Sequence, residues 1–161
     1  MTIWVVDTSP LIFLSKLGYL DLLRKSADVV YVPRAVLDEI QIKPDDATQA
    51  IEEARRSWLS VQAVGNQSAV EILLADLDRG EAEAIVLARE IGADRLVMDD
   101  LDARRFARRV GLEVIGTMGL LLAARLRGEI RSVREEIEQL REYGFRVAPA
   151  LVRVILEEAR E

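Results

Sequence analysis

Ile3-Trp4-Val5-Val6-Asp7-Thr8-Ser9-Pro10 is the stretch that decides the fold. Four apolar residues in unbroken succession predict a strand buried on both faces, as in a parallel sheet, rather than the alternation of a half-exposed strand. Asp7 ends the run. Thr8 and Ser9 then offer a cap and Pro10 a first-turn proline, which predicts a helix through Leu14 with Gly18 as its stop.

The rest of the chain repeats this unit of strand, acid and helix. A short helix is predicted around Leu20–Arg24, a second buried strand at Val29–Val32, and a helix at Arg34–Ile40 opened by Pro33. Gln41–Asp46 is a polar break containing Pro44. Ala47–Arg56 is helical, Trp58–Val64 a weak strand, and Val70–Leu77 and Glu81–Glu90 are helices. Leu96-Val97-Met98 and Val114-Ile115 are short strands, each followed by a helix, Asp102–Val110 and then one from Thr117 through Leu126. Such alternation predicts an α/β fold around a central parallel sheet. Two amphipathic helices finish the chain. One starts at a capping box of Ser132 and Glu135; the other follows Pro149 and sets Leu151, Val152, Ile155, Leu156 and Ala159 on one face. The expected organisation is one domain, 1–161, with residues 129–161 as a C-terminal helical extension packed on it.

At 161 residues the chain is long enough to bury its own core. It has no cysteine and no histidine, which removes disulfides, thiolate and imidazole metal ligands, and the serine–histidine–acid triad. Net charge is −6, so the overall field does not steer it to nucleic acid; a local basic patch or a bound ion is needed. Three of the 22 basic residues are lysines, Lys16, Lys25 and Lys43, and the rest are arginines, the fork-shaped phosphate ligands. No apolar run has the length of a membrane span, and the run before Asp7 is too short for a signal peptide, so a cytoplasmic protein away from the membrane is expected.

The acids carry the chemistry. In open parallel sheets ligands sit beyond the carboxyl ends of strands. Asp7 stands at one such end, and Asp99 with Asp100 at another. Glu39 lies at the edge of the Val36–Leu37–Ile40 stripe. Glu81 heads the apolar stripe of its helix, although with Asp78 it also forms a capping box. Two carboxylates about 4 Å apart repel by about 4 kcal/mol at an effective dielectric near 20. Four converging on one crevice would raise each other's pKa or hold a cation. With oxygen ligands alone, that cation is Mg²⁺ or Mn²⁺. Such a site serves phosphodiester hydrolysis without histidine.

Four blocks in order, Asp7-Thr8-Ser9-Pro10-Leu11-Ile12, Val32-Pro33-x-x-Val36-x-x-Glu39-Ile40, Gly80-Glu81-Ala82-Glu83-Ala84-Ile85, and Asp99-Asp100 with Arg104, resemble the PIN-domain nucleases. The later blocks, with Gly116-Thr117-x-Gly119 and Gly144-Phe145-Arg146, are similar to the branch described as predicted nucleic-acid-binding PIN proteins, close to the VapC-type toxins. The resemblance implies a three-layer α/β/α sandwich and a Mg²⁺/Mn²⁺-dependent ribonuclease. It puts Asp7, Glu39, Glu81 and Asp100 in the metal and catalytic positions, with Ser9 as the neighbouring hydroxyl and Asp99 and Asp102 as alternatives in register. Aspartate is commoner at the third position, where Glu81 is one methylene longer. The resemblance also implies an RNA substrate, a small antitoxin protein that blocks the cleft, and a homodimer.

The predicted helix Asp102–Val110 buries Ala103, Phe106, Ala107 and Val110 and turns Arg104, Arg105, Arg108 and Arg109 outward, a candidate phosphate track next to the acids. Aromatic residues are 5% of the chain, too few to predict base-stacking platforms. Two other readings stand beside the enzyme: a non-catalytic nucleic-acid- or protein-binding module of the same fold, and phosphotransfer on Asp7. No glycine fingerprint follows the first strand, which argues against dinucleotide binding.

Overall fold

A computed structural model describes residues 1–42 and 44–161; Lys43, in the polar break before Pro44, lies outside the described residues. In chain order the elements are β1 (Ile3–Val6), α1 (Thr8–Leu17), α2 (Asp21–Ser26), β2 (Val29–Pro33), α3 (Arg34–Ile42), α4 (Asp46–Arg55), β3 (Leu59–Gln62) and α5 (Gln67–Leu73). They continue as α6 (Arg79–Glu90), β4 (Arg95–Val97), α7 (Leu101–Arg109), β5 (Val114–Ile115), α8 (Thr117–Leu126), α9 (Val133–Glu142) and α10 (Pro149–Glu158).

The five strands form one parallel sheet in the order β3-β2-β1-β4-β5. The α/β class expected from the unbroken apolar runs is therefore the class observed. β1 sits at the centre and serves both faces. Trp4 and Val6 join one core with Leu11, Leu14, Leu121, Ile137 and Leu140, while Val5 joins the other with Ile85, Leu87, Leu96, Met98 and Ala103. Burial of each such leucine or isoleucine contributes about 1.5–3 kcal/mol. No helix among the described residues is long and apolar enough to cross a membrane.

Local signals explain most boundaries. Gly18 ends α1 in the left-handed region, φ 79°, and its N–H caps the last turn. Asn66 caps α5 by accepting from the Ala69 N–H, so this helix starts earlier than the apolar pattern alone predicted and ends at Leu73 rather than Leu77. At the C-terminal end, Val133, Ile137 and Leu140 of α9 and Ile155 of α10 are buried in the first core. Leu151, expected on the buried face of α10, is 43% exposed. It lies in the first turn of the helix, ahead of the contact made by Ile155 and Ala159.

A carboxylate fastens this end of the chain. Glu161 accepts from the Ser132 hydroxyl at 2.6 Å, the Val133 N–H at 2.7 Å and the Arg134 N–H at 3.2 Å. It thereby caps α9 from a distance, and Arg125 Nε stands 3.4 Å from its Oε2.

Candidate functional site

Strand order sets the location. From β1 the chain runs outward to β2 and β3, and β4 lies on the other side of β1, leading to β5. Adjacent parallel strands whose connections depart in opposite directions leave a crevice at their carboxyl ends. Asp7 follows β1 there, and Asp99 and Asp100 follow β4. The Asp7 N–H donates to the Val97 carbonyl at 2.9 Å, which ties the two strand ends together. A cavity of about 470 Å³ opens at this point, and Asp7, Glu39, Asp78, Glu81, Asp99 and Asp100 all line it.

Asp7 is 6% exposed. It occupies the position ahead of α1 but makes no side-chain cap hydrogen bond, so the ordinary structural use of an aspartate at that place is not taken up. Burial pushes its carboxyl up to about 8; the Thr8 backbone N–H opposes this, and the charges of Asp78, Glu81 and Glu39 add to it. Glu81 is half-buried and pushed up to about 7. Burial is the largest cause, opposed by the Asp78 backbone N–H and reinforced by Asp78, Asp100 and Glu39. The capping box read from the sequence is present as well: Asp78 Oδ1 accepts from the Glu81 N–H at 2.8 Å, and Glu81 Oε1 from the Asp78 N–H at 3.1 Å. Capping and cavity lining thus coexist in one residue.

Glu39 reaches the cavity from α3 and accepts from the Thr8 hydroxyl at 2.9 Å. Gly80 permits this approach, since a Cβ there would stand 3.0 Å from Glu39 Oε2. Asp100 caps α7, its Oδ1 accepting from the Ala103 N–H at 2.9 Å. Among the described residues the second oxygen of Glu39, Glu81 and Asp100 makes no hydrogen bond, and the donor that the Asp7 carboxylate meets is the Thr8 N–H.

Asp99 is a different case. Its Oδ2 accepts from the Ser9 hydroxyl at 2.9 Å and the Thr117 hydroxyl at 2.7 Å, and its Oδ1 from the Thr117 N–H at 2.7 Å. With both oxygens committed, Asp99 knits α1 and α8 to the end of β4. Ser9, expected as the hydroxyl beside the first acid, lines the cavity and spends its proton on that knot. Asp102, the other alternative in register, lies in the first turn of α7 with its side chain 87% exposed, 3.4 Å from Arg105, and outside the cavity.

Arg104, Arg105 and Arg108, the candidate track of α7, do not line the cavity. Arg104 is half-buried beside Asp99 and Gly116, where a glycine Cβ would stand 2.9 Å from both side chains. Its Nε is buried without a hydrogen-bond partner among the described residues. Burial and Arg108 lower its pKa against the pull of Asp99. The basic residue in the lining is Arg146, from the segment after α9.

Sequence reasoning passed over Asp78, Thr8, Thr117 and Glu83. Asp78 and Thr8 had local explanations as helix-cap residues that hid their place in the cavity. Glu83 is buried and accepts from the Ala35 N–H at 3.1 Å, capping α3 from α6; its standing as the second glutamate of the Gly80–Ile85 block was the available signal.

The donor set suits a hard cation: oxygen only, several carboxylates around one cavity, and a buried aspartate held towards its protonated form for want of a counter-charge. Among the described residues no three acidic side chains already stand as an ion's ligand set. Mutual repulsion of these charges favours that separation.

A family model, DUF3368, described as PIN domain, matches residues 3–161. No curated protein matches the chain. Among solved structures the chain is similar to a PilT N-terminus domain protein, SSO1118, from the hyperthermophilic archaeon Sulfolobus solfataricus, with a TM-score of 0.56 and 20% identity, covering 76% of this chain and 93% of that one. At that identity the likeness speaks for the fold alone.

Proposed function

The chain belongs to the PIN-domain family, a nuclease-type fold, and from that premise we propose that it is a Mg²⁺- or Mn²⁺-dependent endoribonuclease whose acids are Asp7, Glu39, Glu81 and Asp100. One observation carries the reading: these four carboxylates line one cavity at the strand crossover, each with an oxygen outside any hydrogen bond. They are the residues that would hold the ion. A divalent ion bound there supplies charge neutralisation for the scissile phosphate and a water of lowered pKa.

The chain's own groups do the rest. Asp7, pushed up to about 8, and Glu81, pushed up to about 7, are held towards their protonated forms in the neutral range, and a divalent ion held there would favour their charged forms, so its affinity would rise with pH. Thr8 holds Glu39 in place, and the Asp99 knot with Ser9 and Thr117 fixes the end of β4 that presents Asp100. Arg146 supplies positive charge in the same lining, where an approaching phosphate backbone needs it.

The test is incubation of an unstructured RNA with the protein and Mn²⁺. Internal fragments are expected, and Asp7→Asn and Asp100→Asn should each abolish them. Fragments that persist undiminished in both variants would overturn the assignment. The proposal extends to a toxin-like role in the cytoplasm, with a small antitoxin protein over the cavity and a homodimer as the working form. Growth arrest on expression, relieved by the product of the adjoining gene, and the sedimentation mass test these parts.

A second reading, a non-catalytic RNA- or protein-binding module, is favoured by two observations. Glu81 stands where aspartate is commoner, and no three acids are gathered as a ready ligand set. RNA that binds without being cut under any divalent ion would select it.

A further inference from the structure

The cavity that holds the acids is lined as well by Ile12, Phe13, Gly144, Phe145 and Arg146. Phe13 lies on α1 six residues beyond Asp7, about 9 Å along a helix at 1.5 Å per residue. Gly144 ends α9 with φ 93°, and the Phe145 N–H then bonds the Leu140 carbonyl at 2.9 Å, which folds the chain back towards α1. Phe13 and Phe145 meet edge to face, with ring centroids 5.0 Å apart and planes at 80°. Lys16 Nζ lies 6.0 Å from the Phe13 centroid and 5.6 Å from that of Tyr143. Both phenylalanine rings are only partly buried.

An aromatic corner flanked by two cations, opening on the same cavity as a ring of carboxylates, suits a narrow class of ligand. The acids repel phosphate unless neutralised, so a nucleic acid needs positive charge just beyond them, and Arg146 supplies it. A base needs a π surface. Phe13 and Phe145 offer one, although the chain as a whole is too poor in aromatic residues to predict it. A base already stacked in a duplex cannot offer its face to this corner; an unpaired one can.

We propose that the Phe13–Phe145 corner stacks an unpaired base of the RNA next to the one cleaved, with that base's phosphate on Arg146. This rests on the nuclease assignment and adds to it the residues that hold the strand. Phe145 and Arg146 are positioning residues, acting on how the strand is held.

The experiment measures Mn²⁺-dependent cleavage of one RNA sequence, single-stranded and fully paired, by the full chain and by Phe145→Leu, Phe145→Trp and Arg146→Ala. Leucine keeps apolar bulk against α1 and removes the ring. Base–aromatic stacking contributes enough for a change of about five- to hundred-fold. The expected result is a KM raised at least about five-fold in Phe145→Leu and Arg146→Ala with kcat within two-fold, rescue by Phe145→Trp, and paired RNA cut at least ten-fold more slowly than single-stranded. A 2-aminopurine placed at successive positions should be quenched at one of them by the full chain and not by Phe145→Leu. Unchanged KM in both loss variants, or equal cleavage of the two RNA forms, overturns the proposal.

If no RNA is cut, fluorescence anisotropy of a labelled single strand with Asp7→Asn separates the two ideas. Binding lost in Asp7→Asn/Phe145→Leu upholds the corner while the nuclease assignment falls. Absence of binding, or binding indifferent to Phe145, sinks the corner as well.

Discussion

Asp7, at the carboxyl end of β1, and Glu161, beyond α10, are both carboxylates pressed against the body of the protein, 6% exposed as a residue in the first case and 13% as a side chain in the second. Glu161 is surrounded by donors. Burial pushes its pKa up, but the Ser132 hydroxyl, the N–H groups of Val133 and Arg134 and the charge of Arg125 outweigh it, and the net shift is downward. Asp7 meets three other acids against one backbone donor, the Thr8 N–H, and its pKa climbs to about 8. The fold has completed one site with its own groups and left the other in deficit. A carboxylate that folding uses is one whose charge is already answered; a carboxylate kept for chemistry is one whose answer has to come from outside.

The largest expected effect breaks the comparison on the Asp7 side. Asp7→Asn should lower Mn²⁺-dependent RNA cleavage by at least about a thousand-fold. It should also raise the stability of the metal-free protein at pH 8 by roughly 1–3 kcal/mol, because it removes a buried charge without a partner. By differential scanning calorimetry that is a Tm gain of about 3–10 °C. A Tm that falls instead would mean the carboxylate is satisfied in a way the structure does not contain.

Glu161→Ala should do the reverse. Loss of the distant cap on α9 should cost about 1–3 kcal/mol and a comparable drop in Tm, with cleavage at 20 °C unaltered. Reduced kcat at that temperature would show that the C-terminal fastening reaches the cavity.

The pH profile sharpens the contrast. A folded-state pKa raised from 3.8 to about 8 gives stability that is complete below pH 4 and is lost as pH rises towards 8. Metal-free Tm should therefore fall between pH 5 and pH 8, Mn²⁺ should restore part of it, and Asp7→Asn should flatten the profile. A wild-type profile flat across that window would contradict the assigned burial. The smallest effect belongs to Asp102→Ala, in an exposed pair outside the cavity, with stability changed by less than about 0.5 kcal/mol and activity by less than two-fold.

Much of this was legible beforehand. The apolar runs at 3–6, 29–32 and 96–98 gave strands buried on both faces, and acids directly after two of them pointed to the crevice. Glu39 was found at the margin of an apolar stripe, and Glu81 at the head of one, since helical periodicity reports which face a side chain shares. What periodicity does not report is which donors lie across the fold. Asp99 and Asp100 are neighbours in sequence, and only the placement of Ser9 and Thr117 makes one a structural knot and leaves the other an uncommitted oxygen. The arginines of α7 formed the more conspicuous run, yet the basic residue in the cavity lining is Arg146, carried there by the turn at Gly144.

By itself the sequence determined the α/β class, the strands, the helix caps and the stock of oxygen-only ligands, because these depend on side-chain chemistry and spacing along a few turns of chain. The tertiary structure decided that Asp7, Glu39, Glu81 and Asp100 share a cavity, that Asp99 is spent on hydrogen bonds, and that Phe13 meets Phe145. Strand order and the return of the last helices bring together groups far apart in the chain, Phe13 and Phe145 across 132 residues, and no local pattern encodes the distances that set the charge states in the cavity.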